Sequence, residues 1–379
     1  MNKKEINEIK KQFTPEHCTI SRICGCYVDY EKNKVLLSKD AFLSLPEEEE
    51  HKYFDIFKKV LSGTIGKNLV TIDFPTQFES KGESQDFFMR LLDSELQDDA
   101  LIEELYNNII DKYHFDENYY IILINAAYDV PGKSTDGSEM FDASDNVYRY
   151  ILCAICPVTM SKAGLSYSVM DNAIKERIRD WVVQPPVSGL LFPAFEDRAS
   201  DIHKILYYSK NPEIYQEDFL SDIIGEAKLL TPCEQKESFA ELITQTLRQN
   251  GDFDTVKSIQ ENINELIEEA QESDGVFELD KVNTKRILSD SGVDDEDVEL
   301  FDELYDEQIG KDAQIYLNNV ADTKKFQIEM PDIIIKTDPE HAMLIETMEI
   351  NGRDCIVIPA DGNIEVNGIS VRVRNEREI

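Results

Sequence analysis

Apolar residues recur alternately at helical and at strand spacing through the first 225 residues of the chain. Ile6, Ile9 and Phe13 predict a short amphipathic helix, and a second apolar stripe predicts a longer one: Tyr53, Phe54, Phe57, Val60 and Leu61. Apolar runs predict strands over 19–29, 35–38, 119–127, 146–158 and 189–195, with a long loop over 128–146. The alternation favours a mixed α/β domain over residues 1–225 with a mainly antiparallel sheet.

The pattern changes over residues 226–379, which predict an acidic helical domain ending in β-strands. Thr231 and Glu234 have capping-box spacing, as do Ser44 and Glu47, so each pair predicts a helix start. Apolar residues then step by three and four, which predicts a helix packed in a core or against a partner helix: Val256, Ile259, Ile263, Leu266 and Ala270. An Asn-Gly pair within 365–369 predicts a final hairpin. The expected fold class is therefore α+β.

Composition restricts the classes of function. The 379 residues include 39 Lys and Arg against 76 Asp and Glu, a net charge of −37, and 41% are apolar. The apolar fraction excludes a disordered acidic tail, and the charge argues against a non-specific binder of nucleic acid or anionic membranes, which needs a basic surface. One local basic face stays compatible with it. Without a bilayer-length apolar run or a secretory signal, we expect a cytoplasmic protein without membrane attachment.

The seven cysteines are few and odd in number, which is typical of reduced thiols. Cys153 and Cys156 have CxxC spacing, but on a strand they point to opposite faces, so buried thiols are favoured over a zinc or redox site. A second group is His17, Cys18, Cys24 and Cys26. Its one-residue spacing is unusual for structural zinc, so a metal is the less favoured alternative here too, and we expect no cofactor.

Side chains that could bind a ligand or take part in catalysis are most frequent over residues 177–203. The candidates for binding an anion or nucleic acid are Arg177, Arg179, Trp181 and Arg198, to which the chain end adds Arg372 and Arg374. The candidates for a hard divalent metal or for acid–base work are Glu196, Asp197, Asp201 and His203. The favoured alternative is structural, with Ser200 capping a helix and Asp201 in its first turn. No GxSxG or HExxH motif is present, so a non-enzymatic role is favoured over an enzyme.

Longer stretches carry a resemblance to a known family. The segments KQFTPEHCTISRICGCYVD, FLSLPEEEEHKYFDIFKKVLSGTIGKNL, IRDWVVQPPVSGLLFPAFEDRASDIHKILYYSKN and EVNGISV resemble the bacterial family named domain of unknown function 4317. The resemblance covers essentially the full chain and implies no activity. The order of features is also similar to the bacterial nucleoid-associated protein family, at Arg177, Ile178, Trp181, Pro185, Leu191, Phe192 and Arg198. That likeness implies a local contact surface for DNA.

Three hypotheses follow. The favoured one is a non-enzymatic interaction protein that contacts DNA, or a DNA-bound protein, through a local basic surface. The second is a metal-dependent, hydrolase-like enzyme that uses the acids and the histidine after the LLFPAF strand. The third is an acidic surface, centred on the nine acids of residues 294–307, that mimics DNA or docks a basic protein. A homo-oligomer is compatible with all three.

Overall fold

The computed structural model describes residues 1–75, 83–133, 139–140, 146–225, 229–248, 251–273, 278–310, 315–321, 325–360, 364–366 and 368–371. The fold is α+β, as the sequence predicts. The chain divides into two compact units, Met1–Glu234 with 274–276, and Gln235–Ser273 with Phe277–Ile379. The predicted domain boundary after residue 225 stays a prediction.

An antiparallel sheet organises the first unit. Its strands are β1 (Ile20–Val28), β2 (Lys34–Ala41), β3 (Leu69–Asp73), β4 (Tyr119–Val130), β7 (Asn146–Met160), β10 (Trp181–Val183), β11 (Ser188–Phe192) and β14 (Lys204–Ser209). Among the described residues the order is β2-β1-β4-β7-β11-β14-β3, and β10 pairs with the end of β7. Short pairs complete the unit: β5 (Gly132–Lys133) with β6 (Glu139–Met140), β8 (Leu165–Ser168) with β9 (Ala173–Glu176), and β12 (Ala194–Glu196) with β13 (Ala199–Asp201).

Helices cover both faces of this sheet. They are α1 (Lys3–Lys10), α2 (Glu47–Val60), α3 (Glu83–Asp93), α4 (Asp99–Lys112) and the short α5 (Glu217–Phe219). On one face Ile9 and Phe57 pack in a core with Ile122 of β4. On the other face the ring of Phe88 lies 5.4 Å from that of Phe192. Because β4 and β7 are buried on both faces, they appear in the sequence as continuous apolar runs rather than as alternating ones.

Two predictions for this unit are wrong, the bounds of a loop and the capping box of a helix. The predicted loop over 128–146 is shorter, because β4 and β7 stay paired until Val130 lies opposite Asn146. Residues 134–138 and 141–145 of that loop lie outside the described residues. The capping box at Ser44 does not form either. The Ser44 hydroxyl donates to the Ala41 carbonyl at 2.6 Å, because a 3-10 turn precedes α2, and Pro46 occupies the cap position without a side-chain bond.

The second unit begins with a helical core. Its elements are α6 (Pro232–Leu247, which starts in the first unit), α7 (Phe253–Ser273), β15 (Glu278–Leu279), α8 (Lys281–Asp290), α9 (Asp295–Gln308), β16 (Ile315–Tyr316) and α10 (Leu317–Val320). The predicted capping box at Thr231 is confirmed, since Thr231 N donates to Glu234 Oε2 at 2.8 Å. Ile259 and Ile263 from the predicted seam are buried in this core, with Phe301 of α9.

In the described residues after the helical core, the strands form hairpins: β17 (Phe326–Met330) with β18 (Ile333–Thr337), β19 (Glu346–Ile350) with β20 (Arg353–Val357), and β21 (Ile364–Val366) with β22 (Ile369–Val371). The predicted last hairpin is confirmed, because Val366 pairs with Ile369. Gly368 there has a φ of +80°, a conformation that glycine adopts without strain.

Candidate functional site

The predicted helix after Ser200 is wrong, because this segment is a tight hairpin. Asp197 and Arg198 both lie in the left-handed region, with φ of 50° and 58°. Two consecutive positive φ values reverse the chain in two residues, so that Glu196 pairs with Ala199. The turn therefore presents the side chains of the predicted metal site from two short strands, not from one helix face.

Glu196 binds two ammonium groups. Its Oε1 accepts from the amino group of Met1 at 2.6 Å, and its Oε2 accepts from Lys204 Nζ at 2.8 Å. Met1 is a buried residue, and its amino group also donates to Thr71 Oγ1 at 3.0 Å. Burial opposes the charge of Glu196, but the hydrogen bonds from Lys204 and Met1 outweigh it and lower the pKa of this carboxyl. Glu196 is thus an ionised partner for two internal cations.

Two further carboxylates face Lys204. Its Nζ lies 3.9 Å from Asp201 and 4.0 Å from Asp73. Burial lowers the pKa of Lys204, but the bond to Glu196 and the neighbouring acids raise it by more, so the net pKa lies above its ordinary value. We call the Met1 amino group, Asp73, Glu196, Asp201 and Lys204 the ion cluster. Its positive charge is supplied by the chain itself.

The other two predicted metal ligands lie outside the ion cluster. The amide nitrogen of Asp197 donates to Glu5 Oε1 at 2.8 Å. His203 Nδ1 lies 3.1 Å from Gln85 Nε2. Across the described ranges, no group of three or more His, Cys, Asp or Glu side chains is placed to hold a metal ion. The geometry therefore supports a structural use of the side chains of Glu196, Asp201 and His203.

The side chain of Arg198 is bonded inside the protein rather than exposed to solvent. Its Nη2 lies 3.2 Å from Glu8 Oε1 and donates to the carbonyl of Pro131 at 2.8 Å, and its Nη1 donates to Glu8 Oε2 at 3.3 Å. This paired contact joins the turn after β12 to helix α1. The structure thus gives Arg198 a different role from the other predicted anion-binding residues.

Arg177, Arg179 and Trp181 belong to a two-stranded extension of the sheet, residues 158–183, which we call the arm. At its base Met160 pairs with Trp181, and further out Leu165 pairs with Glu176 in the same register. Between these pairs, Ser161 N donates to the Asp180 carbonyl and Arg177 N to the Gly164 carbonyl, both at 2.8 Å. Arg179 Nε donates to the Ser161 carbonyl at 3.0 Å. The arm is one continuous hairpin.

The outer part of the arm has an apolar face. Cross-strand partners share a face, so Tyr167 lies beside its partner Ile174. Leu165, two residues before Tyr167, projects on the same side together with its own partner, Glu176, which is the acidic residue of this face. The side chains of Tyr167, Ile174 and Leu165 are 56%, 63% and 77% exposed, and Met170 at the tip is 98% exposed. The opposite face carries small and polar side chains: Ser166, Ser168, Ala173 and Lys175. Within the first unit, the arm thus displays apolar surface that its own hairpin does not bury.

The arm also carries half of the predicted anion-binding residues. Arg177 and Arg179 are exposed, and Trp181 is 52% exposed. Lys175 lies 3.0 Å from Asp171. Arg372 and Arg374 lie outside the described residues. The structure therefore brings together three of the six predicted anion-binding residues.

The sequence contained a signal for the arm that our strand assignment missed. Leu165 and Tyr167 alternate with serines, and the Asp171-Asn172 pair is typical of a turn, with Asn172 at a φ of 45°. The predicted strand ends at Val158, whereas β7 continues to Met160. Only the pairing shows that both strands continue beyond the sheet.

The thiols lie in the sheet as predicted. Cys156 belongs to the core that contains Ile122, whereas Cys153 faces the other side. Burial raises the pKa of Cys24 and Cys26 to about 11 and that of Cys153 to about 12. These thiols are protonated at neutral pH, which is typical of core residues rather than of nucleophiles.

The acidic helix α9 is partly neutralised inside its own unit. Lys281 Nζ lies 2.8 Å from Asp306, and Lys285 Nζ lies 2.6 Å from Asp302. Glu299 and Glu303 stay exposed. A decoy role for residues 294–307 stays a prediction.

Comparisons with known proteins identify the family but name no activity. None of the helices in the described part of the chain has the length and apolar character that crossing a bilayer requires. No curated protein matches the chain. A family profile described as domain of unknown function (DUF4317) matches residues 1–369, which is nearly the whole sequence. The similarity to nucleoid-associated proteins stays a prediction. The chain belongs to the DUF4317 family.

Proposed function

We propose that this chain is a cytoplasmic, non-enzymatic interaction protein that docks a partner protein through the apolar face of the arm. The observation that carries the proposal is the exposed cluster of Leu165, Tyr167 and Ile174 on one face of a two-stranded ribbon. A two-stranded hairpin is marginally stable in water by itself. An arm that keeps its apolar face outward is therefore stabilised when another surface covers that face.

The size of the surface is adequate for recognition. Burying one Leu, Ile or aromatic side chain contributes about 1.5–3 kcal/mol. The three residues of the apolar face, with Met170 at the tip, thus form a group of the size of an interface hot spot.

A non-enzymatic role is supported by the ion cluster. Two of the acids proposed for hydrolysis, Glu196 and Asp201, neutralise Lys204 and the Met1 amino group, and Glu196 is bonded on both carboxylate oxygens. A carboxylate engaged in this way is a poor general base, because its lone pairs already accept strong hydrogen bonds.

The charges of the arm favour protein over nucleic acid. Within residues 160–181 the bases are Lys162, Lys175, Arg177 and Arg179, and the acids are Asp171, Glu176 and Asp180. Such a balanced surface releases few counterions from a phosphate backbone, whereas DNA binding at physiological salt draws on several unopposed cations.

The test is photo-crosslinking in the native host with a photoreactive residue placed in the full chain. We expect a crosslinker at Tyr167 to capture a protein, and one at Ser166, on the opposite face of the same strand, to capture none. Replacing Leu165 and Ile174 by Ser is expected to abolish capture from position 167. Equal capture from both faces, or no capture, would contradict the proposal.

Nucleic acid is the second candidate, and one observation favours it. The DNA major groove admits a two-stranded ribbon, and Arg177, Arg179 and Trp181 offer charge and a stacking surface on such a ribbon. Fluorescence anisotropy with labelled duplex and single-stranded DNA, titrated with salt, tests it. If Arg177→Ala and Arg179→Ala reduce both the affinity and its salt dependence, DNA is the ligand. An absence of binding at low salt excludes it.

A further inference from the structure

We infer that the sheet of the first unit carries a phosphate-binding site formed by Arg22 and Asn125, with Arg149 on its far side. The site lies on strands β1, β4 and β7, on the face that packs against α3, and it does not depend on the proposed function of the arm. Three observations point to a ligand: a buried amide with an unpaired donor, a half-buried arginine without a partner, and a small side chain between two arginines.

The buried amide belongs to Asn125, which is 6% exposed on β4. Its Oδ1 accepts from the hydroxyl of Ser21 at 3.1 Å. Its Nδ2 is also buried, and no described residue accepts a hydrogen bond from it. Buried donors are normally paired, because an unpaired one loses its bond to water without gaining another. The amide of Asn125 therefore offers its N–H groups to an acceptor from outside the chain.

Arg22 lies beside this amide. It is the partner of Asn125 in the pairing of β1 with β4, so the two side chains project from the same face of the sheet. Arg22 is half-buried, and its guanidinium makes no ion pair or hydrogen bond within the described part of the chain, although the sequence contains 76 Asp and Glu. A guanidinium in this state has five N–H donors available for an anion.

Arg149 provides a second cation on the same face. Its partner on β4 is Ala127, two residues beyond Asn125, so Arg149 lies diagonally across from Asn125 and within reach of a long side chain. Ala127 is half-buried and contributes only a methyl group, which forms a shallow floor between Arg149 and Arg22. Arg149 lies 3.5 Å from Asp93, and a contact of this length between two exposed side chains is weak.

The acids near this face leave the charge of Arg22 uncompensated. Asp129 projects from the same face, but it lies four residues beyond the partner of Arg22, about 13 Å away at roughly 3.3 Å per residue. On the side of β2, Asp99 is bonded to Lys39. The positive field is therefore confined to a small area of a chain whose net charge is −37.

A phosphate group fits this donor set. Guanidinium groups bind phosphate oxygens through paired hydrogen bonds, and the Asn125 amide adds a neutral donor for a further oxygen. The three side chains thus match the three terminal oxygens of a phosphate, whereas a carboxylate has only two. A small phosphate is favoured over a nucleic acid, because the acidic surface around so small a positive area repels an extended polyanion.

The experiment is titration calorimetry of the full chain with inorganic phosphate, at an ionic strength held constant with sodium chloride. Phosphate also stabilises proteins in general by exclusion from their surface, so a saturable heat of binding is the result that counts. Arg22→Gln should weaken binding at least about 10-fold, through the loss of charge-assisted hydrogen bonds. Arg286→Gln is the matched control, since Arg286 is exposed and lies 3.5 Å from a single acid, Asp290. Equal affinity for acetate would overturn the assignment to phosphate.

Asn125→Asp provides a second reading whose sign depends on the geometry. The new carboxylate keeps the bond from Ser21 and places a negative charge beside Arg22, so we expect a higher melting temperature in phosphate-free buffer and no phosphate binding. If the amide did not face Arg22, a buried carboxylate without a cation would lower the melting temperature. A lower melting temperature of this variant, or no saturable binding by the unaltered chain, overturns the inference. Neither result affects capture of a protein by the arm.

Discussion

The guanidinium of Arg198 lies 3.2 Å from the carboxylate of Glu8, which ties the turn after β12 to helix α1. Arg198 has a positive φ, a conformation that a long side chain rarely adopts. The contact with Glu8 holds the residue there. The same carboxylate also accepts a hydrogen bond from the hydroxyl of Tyr128, at 2.8 Å from Oε1, so Glu8 links α1 to β4 as well.

Arg198→Ala should destabilise the protein by about 2 kcal/mol, because it leaves a largely buried Glu8 without its cation. The free energy of unfolding from urea denaturation checks this. Arg177→Ala removes an exposed arginine of the arm and is the matched control, with an expected change within about 0.5 kcal/mol. Equal effects of the two substitutions would contradict the anchoring role of Arg198.

Glu196→Gln should flatten the acid side of the curve of stability against pH. Lys204 and the Met1 amino group lower the pKa of Glu196 in the folded protein below the ordinary 4.5, so the folded state binds fewer protons there than the unfolded state. The contribution of ionised Glu196 to the free energy of unfolding is present above pH 4.5 and is lost as the pH falls through the pKa of Glu196 in the folded protein. Burial raises the pKa of Asp73, which acts in the opposite direction and is retained in the variant.

The measurement for Glu196→Gln is urea denaturation at a series of pH values from neutral to acid. We expect the difference between wild type and variant to be largest near neutrality and to shrink below pH 4.5. Glu299→Gln, at an exposed position of α9, is the control. A difference that stays constant with pH would show that Glu196 stabilises the fold by shape alone.

Gly189→Ala should cost about 2 kcal/mol through overpacking. A Cβ at this position of β11 would lie 2.7 Å from the carbonyl oxygen of Cys153 and 2.7 Å from Cγ1 of Val60. The carbonyl belongs to the neighbouring strand β7 and cannot move without disturbing the sheet. Gly164→Ala in the arm is the control, since a Cβ there meets no atom within 4 Å. Thermal unfolding of both variants distinguishes them, and a stable Gly189→Ala protein would contradict the packing.

Thiol labelling at neutral pH should separate the cysteines by burial. Cys233 is exposed and should react first, whereas Cys24, Cys26, Cys153 and Cys156 should react only on unfolding. Burial raises the pKa of each of these four thiols, so little thiolate is present. Mass spectrometry of peptides after brief labelling checks the order, with Cys233→Ser as control. Rapid labelling of Cys153 in the folded protein would contradict its placement.

Several elements could be predicted because their signals are local. The stripe of Phe54, Phe57 and Val60 is buried on α2, and Thr231 caps a helix through its own neighbour Glu234. The capping box at Ser44 has the same spacing, yet it fails because a 3-10 turn uses that hydroxyl instead. Spacing alone does not distinguish the two cases, since competing local hydrogen bonds decide between them.

The candidate site depended on contacts between distant parts of the chain. The sequence by itself determined the family, the mixed fold and the opposite faces of Cys153 and Cys156, because periodicity and strand geometry act between near neighbours. Only the tertiary structure decided that Glu196 faces Lys204 and Met1, that Arg198 binds Glu8, and that Trp181 lies on an arm. The sequence places acidic, basic and aromatic side chains close together over residues 177–203. Which of these side chains form internal ion pairs and which stay exposed depends on strand pairing and on contacts with Met1 and Glu5, some 190 residues away in the chain. The local sequence of the segment does not encode such distant contacts.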